Sequence, residues 1–124
     1  MILISSITCD YFKSSILNHK NDLKWFYDTL AIGCSKNKFY VLIKEDVEIG
    51  LLINYCTVSN LDFGLCIYEK YRNQGYGTKV VVQLVQKFNH LVTFTINKHN
   101  INSHLFFNKL IKSCILNKEN IKTN

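Results

Sequence analysis

Residue types and spacing that suit phosphate binding occur in one stretch of the chain: Arg72, Asn73, Gln74, Gly75, Tyr76 and Gly77. The stretch follows an apolar run at residues 61–68 and precedes apolar residues at helical spacing up to about Phe88. A strand that leads through a glycine-containing turn into a helix presents backbone N–H groups at the positive end of the helix dipole. Gly75 and Gly77 permit positive φ and lack the Cβ atoms that would keep an anion away from the backbone. The stretch therefore predicts a phosphate- or pyrophosphate-binding loop.

Other glycine-containing nucleotide motifs fit this stretch less well. A dinucleotide-binding fingerprint needs a third glycine where the chain has Val80, and no Gly-Lys-Ser/Thr follows for a P-loop. The two glycines could also do no more than cap a strand-to-helix turn. Arg72, the only arginine in the chain, could be a phosphate ligand or a solvated surface charge. Its place beside the loop favours the ligand role.

Length and composition indicate a single domain over residues 1–124. With 48% hydrophobic content, the chain can bury one core. No run reaches the roughly 18 apolar residues that a membrane helix needs, and the N-terminus lacks the features of a secretory signal. Five cysteines without a Cys-x-x-Cys pair predict reduced thiols in a cytoplasmic protein, rather than a disulfide frame or a zinc site. The formal charge of +6 suits nucleic acid or a polyanionic cofactor equally, so charge alone does not identify the partner.

Apolar periodicity predicts a mixed α/β protein with the element order β-α-α-β-β-β-α-β-α-β. The predicted strands are residues 2–7, 39–43, 47–55, 61–68 and 91–96, with a short last strand at residues 114–116. Two helices are expected within residues 11–30, one after the glycine loop, and one over residues 102–110. A polar turn at residues 44–46 joins the second and third strands into a hairpin.

A second motif follows the fifth predicted strand. Asn97, Asn100, Ser103 and Lys109 occur at a spacing that, together with the Arg-x-x-Gly-x-Gly turn, resembles the GNAT superfamily of N-acetyltransferases. The element order is also similar to that of this family, so the resemblance extends over nearly the whole chain. It implies a mixed, mostly antiparallel sheet flanked by helices, with splayed fourth and fifth strands.

The resemblance implies acetyl-coenzyme A as co-substrate and no metal. In the family the fourth strand and the loop after it bind this molecule. Leu65, Cys66 and Ile67 are therefore expected beside its pantetheine arm and would offer backbone hydrogen bonds, as an added strand would. The implied binding set is completed by Arg72, Asn73, Gln74, Gly75, Tyr76, Gly77, Thr78, Asn97 and Asn100. Asn100 is at least as compatible with capping a helix start.

Departures from the family pattern bear on the chemistry. Four residues after the position of Ser103, many members carry a tyrosine that protonates the departing thiolate, where this chain has Phe107. Ile111 and Lys112 replace the usual Gly-Phe, and the usual seventh strand is expected to be missing or very short. A coenzyme-A thiol is acidic enough to leave without a dedicated acid, so Phe107 is compatible with acyl transfer.

Other side chains near the expected cleft have structural interpretations as well. Asp62 could be the general base or a solvated strand end, and for Glu69 solvation is the better interpretation. Cys66 is expected to be an inert strand cysteine rather than a nucleophile. His99 and His104 lie five residues apart, off the spacing for two helical metal ligands, and no third ligand is evident.

The resemblance implies transfer of an acetyl group to a primary amine of a small molecule, a protein N-terminus or a lysine. The amine would lose its proton through water or Asp62, and a backbone N–H near Cys66 or Ile67 would stabilise the oxyanion. The alternative is a catalytically silent protein that binds coenzyme A or serves as an interaction module. Lysines scattered along the chain argue against nucleic acid, and an uncovered last strand predicts a homodimer.

Overall fold

The computed structural model describes residues 1–19, 24, 37–56, 61–89 and 91–123. Within these ranges the strands are β1 (Leu3–Ile7), β2 (Lys38–Lys44), β3 (Val47–Asn54), β4 (Asp62–Ile67), β5 (Thr93–Ile96) and β6 (Ile121–Thr123). The helices are α1 (Cys9–Asn18), α2 (Tyr76–Phe88) and α3 (Ile101–Lys112), with short 3-10 turns at Glu69–Tyr71 and Lys118–Asn120. The predicted mixed α/β class is confirmed. The second of the two helices predicted within residues 11–30 falls outside the described residues.

The strands of the described chain form one sheet in sequential order, from β1 to β6. Pairing is antiparallel from β1 to β4, whereas β4 with β5 and β5 with β6 are parallel. Glu45 and Asp46 close the β2–β3 hairpin with φ of 50° and 65°. Two consecutive residues with positive φ give a turn whose twist matches that of antiparallel strands. The predicted hairpin and the mostly antiparallel sheet are confirmed.

Alternation along the strands gives the sheet two apolar faces, and helices cover both. One face packs against α2 and α3, with Phe63 and Phe94 in its centre. The opposite face packs against Phe12 and Ile16 of α1, both of which are fully buried. Complete burial of such a side chain stabilises the fold by about 1.5–3 kcal/mol. The sheet is therefore fixed between α1 on one side and the α2–α3 pair on the other.

A β-bulge near the start of β3 changes the faces to which its first residues point. The register of β2 and β3 shifts between Leu42 and Ile43, so that Ile49 has no opposite residue in β2. The extra residue reverses the alternation. Ile49 therefore joins the core beneath α2 and α3, whereas Glu48 lies on the α1 face and contacts Tyr11.

β4 and β5 separate soon after they begin to pair. Their parallel register contains only Asp62 with Thr93 and Phe63 with Phe94. β4 nevertheless stays paired with β3 as far as Ile67. The two strands therefore enclose a gap beside the C-terminal half of β4, and the predicted splay is confirmed.

The prediction of a last strand at Cys114, Ile115 and Leu116 is wrong. These residues form a turn after α3, in which Cys114 adopts a left-handed conformation with φ of 60°. The N–H groups of Ile115 and Leu116 donate to the Leu110 carbonyl oxygen at 3.0 and 3.3 Å. Such a turn satisfies carbonyl groups at a helix end, and apolar residues after it pack against the core. The apolar run is thus a helix-capping contact.

The sixth strand lies further along the chain, at β6. It pairs with β5 in parallel, from Phe94 with Ile121 to Ile96 with Thr123. The segment before it is anchored by Asn120, whose Nδ2 donates to the Val92 carbonyl oxygen at 2.8 Å. β6 covers the edge of β5 and is itself an edge strand of the described sheet, in place of the last strand predicted at residues 114–116. The homodimer stays a prediction.

The cysteines also differ from expectation. Cys9 is disulfide-bonded, whereas Cys56, Cys66 and Cys114 are not in disulfides. The expectation that all five cysteines are reduced is therefore corrected.

No helix in the described ranges has the length and apolar character needed to cross a membrane.

Candidate functional site

The predicted phosphate loop connects the 3-10 turn after β4 to the start of α2. Two of its residues adopt the left-handed backbone conformation. Asn73 has φ of 62°, and Gly75, the N-cap of α2, has φ of 80°. Gly75 has no side chain to cap the helix, and the first intrahelical bond runs from Lys79 N to Gly75 O at 3.1 Å. The N–H groups of the first turn therefore point out of the helix start toward solvent-accessible space. This is the arrangement that binds anions.

The two loop glycines have different physical roles. A Cβ on Gly75 would meet no atom within 4 Å, so the space beside this backbone is open. A Cβ on Gly77 would instead lie 3.0 Å from Cζ of Phe106, which packs there from α3. Gly75 leaves the space beside the loop open, and Gly77 lets α2 approach α3.

The electrostatics of the loop favour an anion. No acidic residue lies in the first turn of α2. Arg72 is exposed beside it, and its Nε donates to the Ile67 carbonyl oxygen at 2.8 Å. This bond holds the guanidinium between the end of β4 and the loop. Arg72 is thereby placed where a phosphate bound to the loop would meet its positive charge.

The backbone of β4 is oriented so that alternate residues face the gap. Tyr68 N donates to Ile49 O, and Tyr55 N donates to Asp62 O, so the even-numbered residues of β4 direct their backbone groups to β3. The backbone of Cys66 therefore faces β3. Those of Leu65 and Ile67 face the side of β5, beyond the point where the two strands cease to pair. Leu65 and Ile67 are half-buried, although they belong to a central strand.

Asp62, the predicted base, does not lie in the gap. Its side chain is fully buried, and its carboxylate accepts hydrogen bonds from Thr93 Oγ1 at 2.6 Å and from Thr95 Oγ1 at 2.8 Å. Both threonines are on β5, so Asp62 ties the start of β4 to its neighbour. A carboxylate enclosed in this way is not presented to a substrate. The geometry supports a structural role and not the predicted role of base.

The two asparagines of the second motif shape the turn between β5 and α3. Asn97 Oδ1 accepts from the His99 N–H at 2.8 Å. Asn100 is the N-cap of α3, and its Oδ1 accepts from the Ser103 N–H at 3.2 Å. Both side-chain oxygens therefore make turn and cap contacts. The capping interpretation of Asn100 is confirmed.

Phe107 is part of the apolar core. It is 4% exposed, and its ring packs against Phe94 at 5.2 Å and against Phe106 at 4.9 Å between centroids. These contacts explain why a phenyl ring is stable at this position. They provide no proton donor to a leaving group.

The sequence interpretation missed a polar cluster at the end of β4 on the α1 face. Glu48 Oε1 accepts from the Tyr11 hydroxyl at 2.6 Å, and Glu48 Oε2 accepts from the Tyr68 hydroxyl at 2.8 Å. The His19 ring stacks on Tyr68 with 3.9 Å between centroids. Burial, followed by the bond to Glu48, raises the pKa of Tyr68 far above its ordinary value, so Tyr68 keeps its proton. The bulge that turns Glu48 to this face leaves no sequence signal that could have revealed the cluster.

Metal binding has no support in the described residues, where no three His, Cys, Asp or Glu side chains form a group able to hold an ion. One buried nitrogen, Nε2 of His104 on α3, has no hydrogen-bond partner there. A single imidazole nitrogen without further ligands beside it cannot form a metal centre.

The sequence matches no family model and no curated protein. A GNAT-family acetyltransferase from Streptococcus pneumoniae TIGR4 has a similar structure, with a TM-score of 0.54 and 16% identity over 92% of each chain. A Bacillus subtilis acetyltransferase in complex with CoA gives 0.52 and 14% identity, over 87% of this chain and 72% of that chain. A transcriptional regulator from Bacillus halodurans C-125 gives 0.55 and 15% identity, over 89% and 91%. These likenesses, with the splayed sheet, show that the chain has the fold of GNAT acetyltransferases.

Proposed function

We propose that this protein binds acetyl-coenzyme A and transfers its acetyl group to a primary amine. The observation that carries the proposal is the continuity between the β4–β5 gap and the anion-binding loop. One extended ligand with a peptide-like arm and a pyrophosphate could occupy both, and coenzyme A has this composition. The CoA complex of the structurally similar Bacillus subtilis protein supports the same co-substrate.

The chain's own groups divide the binding between arm and pyrophosphate. The backbone of Leu65 binds an amide of the pantetheine arm as an added strand would, and Ile67 lies beside the arm. The loop backbone from Asn73 to Thr78 binds the pyrophosphate, and Arg72 adds a positive charge. Cys66 lies between Leu65 and Ile67 but makes no backbone hydrogen bond to the arm, because its backbone groups face β3. Asn97 and Asn100 act through the turn that they shape.

The reaction needs an oxyanion donor, a proton acceptor and proximity of the two reactants. The Ile67 N–H faces the gap and stabilises the oxyanion that forms when a neutral amine attacks the thioester carbonyl. Water accepts the amine proton, since Asp62 is enclosed. The C–N bond forms, the C–S bond breaks, and the thiolate takes a proton from water because Phe107 has none to give. Most of the rate gain comes from holding the two reactants together.

The absence of a hydroxyl at Phe107 also favours a second candidate, a coenzyme-A-binding protein without catalysis. The similarity to a protein described as a transcriptional regulator is compatible with this candidate. Both candidates share the binding site and differ in turnover alone. Association into a homodimer stays a prediction.

Isothermal titration with acetyl-coenzyme A and with free coenzyme A tests the binding step. We expect saturable binding of both molecules with a stoichiometry of one per chain. Adenosine without phosphates should bind at least tenfold more weakly, because it lacks the pyrophosphate that the loop recognises. If acetyl-coenzyme A shows no binding to the folded protein, the proposed function is wrong.

A further inference from the structure

We propose that the cavity beneath the C-terminal half of α2 is a binding site for a small apolar carboxylate. The site is separate from the loop and the gap proposed for acetyl-coenzyme A, so the inference goes beyond the proposed function. It is carried by the volume of the cavity, by the apolar side chains of its walls and by a lysine at its mouth.

The cavity lies where α2 ends over the sheet. α2 has 13 residues and extends about 20 Å, whereas the 8 residues of β3 extend about 26 Å. The helix ends at Phe88, whose ring packs against Phe63 near the start of β4 with 6.0 Å between centroids. On the side of β1, Ser6 pairs with Tyr40 and is short and exposed. The α2 face at the start of β2 and the end of β3 is therefore left with space.

The volume and the walls are those of a ligand site. The cavity has a volume of about 270 Å³, whereas voids larger than a water molecule are few in protein interiors. An apolar cavity of about 150 Å³ holds one benzene molecule, so this volume accommodates roughly ten non-hydrogen atoms. The apolar walls come from the sheet and from α2, with the side chains of Ile4, Leu52, Phe63, Leu84 and Phe88. Transfer of an apolar ligand body from water to these walls favours binding.

The charge at the mouth of the cavity selects the ligand. Lys38 lines the cavity and is exposed, so its ammonium group lies at the mouth. Of the described residues that line the cavity, Lys38 alone carries a charge. Tyr40 lies two residues further along the same strand and offers a phenol hydroxyl as a second donor. A carboxylate at this end accepts from both groups, while the walls enclose its apolar body.

The cavity and the proposed coenzyme-A site lie at opposite ends of the sheet. Leu61 and Phe63, at the start of β4, line the cavity, whereas Ile67 at the end of β4 faces the gap. The two sites also use opposite ends of α2. Its first turn belongs to the loop, and Leu84 and Phe88 belong to its last two turns. A molecule in the cavity therefore leaves the loop free.

The test uses octanoate, 1-octanol and octylammonium, which share an octyl body and differ in charge. Full-length protein is titrated with each probe, and NMR follows the amide shifts of residues 38–40, 52–56 and 84–88. We expect saturable shifts in these ranges with octanoate. Its affinity should be roughly threefold or more above that of 1-octanol and of octylammonium, because a partly exposed ion pair adds this much.

Three variants examine the charge and the volume separately. Lys38→Gln removes the charge at an exposed position and should reduce the affinity for octanoate to that of 1-octanol. Lys44→Gln is the matched control, since Lys44 lies about 20 Å further along the same strand, and it should keep the preference. Leu84→Phe extends a lining side chain into the cavity and should weaken octanoate binding at least tenfold. Should this buried variant not fold, Lys38→Gln and the shifted residues still decide.

Several results would overturn the inference: no saturable binding of octanoate, shifts confined to other residues, or equal octanoate affinity of the parent and Lys38→Gln. Loss of octanoate binding in the presence of saturating acetyl-coenzyme A would also overturn it, since competition would place octanoate in the gap. The outcome is independent of the proposed function. If acetyl-coenzyme A does not bind, the proposed function fails, and titration of the free protein with octanoate still decides whether the cavity is a site.

Discussion

At the scale of single residues, Gly75 combines the two properties that the loop requires, a left-handed backbone and open space beside it. Gly75→Ala should weaken acetyl-coenzyme A binding at least tenfold, because the new methyl group occupies the space proposed for the pyrophosphate. The strained φ should also lower the free energy of unfolding by about 1–2 kcal/mol. Titration calorimetry and urea denaturation measure the two effects separately.

Asn89→Ala is the matched control for the strain at Gly75. Asn89 ends α2 in the same left-handed region, with φ of 57°, at the opposite end of the helix from the loop. This variant should lose similar stability and bind acetyl-coenzyme A like the parent. Gly75→Ala protein that is folded and binds with parental affinity would show that the loop is not the pyrophosphate site.

Asp62 is expected to stabilise the fold without taking part in the reaction. Asp62→Asn should lower the free energy of unfolding by about 1–3 kcal/mol, because two half-buried threonine hydroxyls lose a carboxylate acceptor. Thr95→Val, which removes one of those hydroxyls, should have an effect of the same kind. For both variants kcat per folded molecule should equal that of the parent. A large fall in kcat for Asp62→Asn alone, with stability preserved, would restore Asp62 as the base.

At the scale of secondary-structure elements, Tyr11, Glu48 and Tyr68 connect α1 to β3 and to the end of β4. The raised pKa of Tyr68 makes this connection sensitive to pH. The unfolded chain has the ordinary value of 10.0, so the stabilisation is fully present below pH 10 and is lost as pH rises above it.

The corresponding prediction compares the parent with Tyr68→Phe by urea denaturation below and above pH 10. The parent should lose up to about 1.4 kcal/mol more of its free energy of unfolding per pH unit above 10 than the variant does. Tyr11 also has a raised pKa, but it is present in both proteins, so its contribution to the pH dependence largely cancels in the comparison. Parallel pH profiles for the two proteins would contradict the raised pKa of Tyr68.

Sequence patterns predicted the helices and strands well where one face of the element is apolar, and less well elsewhere. The spacing of Val80, Leu84 and Phe88 is enough to predict α2, since the period follows directly from burial of one helix face. β6 was missed because Ile121–Thr123 contains one apolar residue, and its position depends on contacts made by Asn120. Residues 114–116 were misassigned because a helix-capping contact and a short strand have similar apolar composition.

The site was predictable to the extent that it consists of backbone. Glycines in a strand–loop–helix context indicate where N–H groups collect, so the loop could be located from sequence. The functional value of a side chain, in contrast, depends on its neighbours. The carboxylate of Asp62 is enclosed by threonines about 30 residues away in the sequence. The face to which the Glu48 side chain points depends on a bulge that no local sequence pattern indicates. Neither fact follows from residue type and spacing.

At the scale of the whole molecule, the C-terminal segment completes the sheet. Removal of residues 117–124 should expose the edge of β5 and the end of the core beneath Leu116. Unpaired strand edges associate with one another. The truncated protein should therefore unfold at lower urea concentration and show a larger mass by light scattering than full-length protein at the same concentration. A truncated chain with parental stability and an unchanged mass would show that β6 contributes nothing to the sheet.

Acetyl transfer to primary amines, the proposed function, is measured by release of free coenzyme-A thiol from acetyl-coenzyme A across a panel of cationic amines, neutral alcohols and acidic peptides. We expect thiol release that depends on both the amine and the enzyme, with stoichiometric N-acetyl product. The rate should be at least tenfold lower with Gly75→Ala at subsaturating co-substrate. Tight binding of acetyl-coenzyme A without thiol release for any acceptor would contradict the proposed function and identify the protein as a catalytically silent binder.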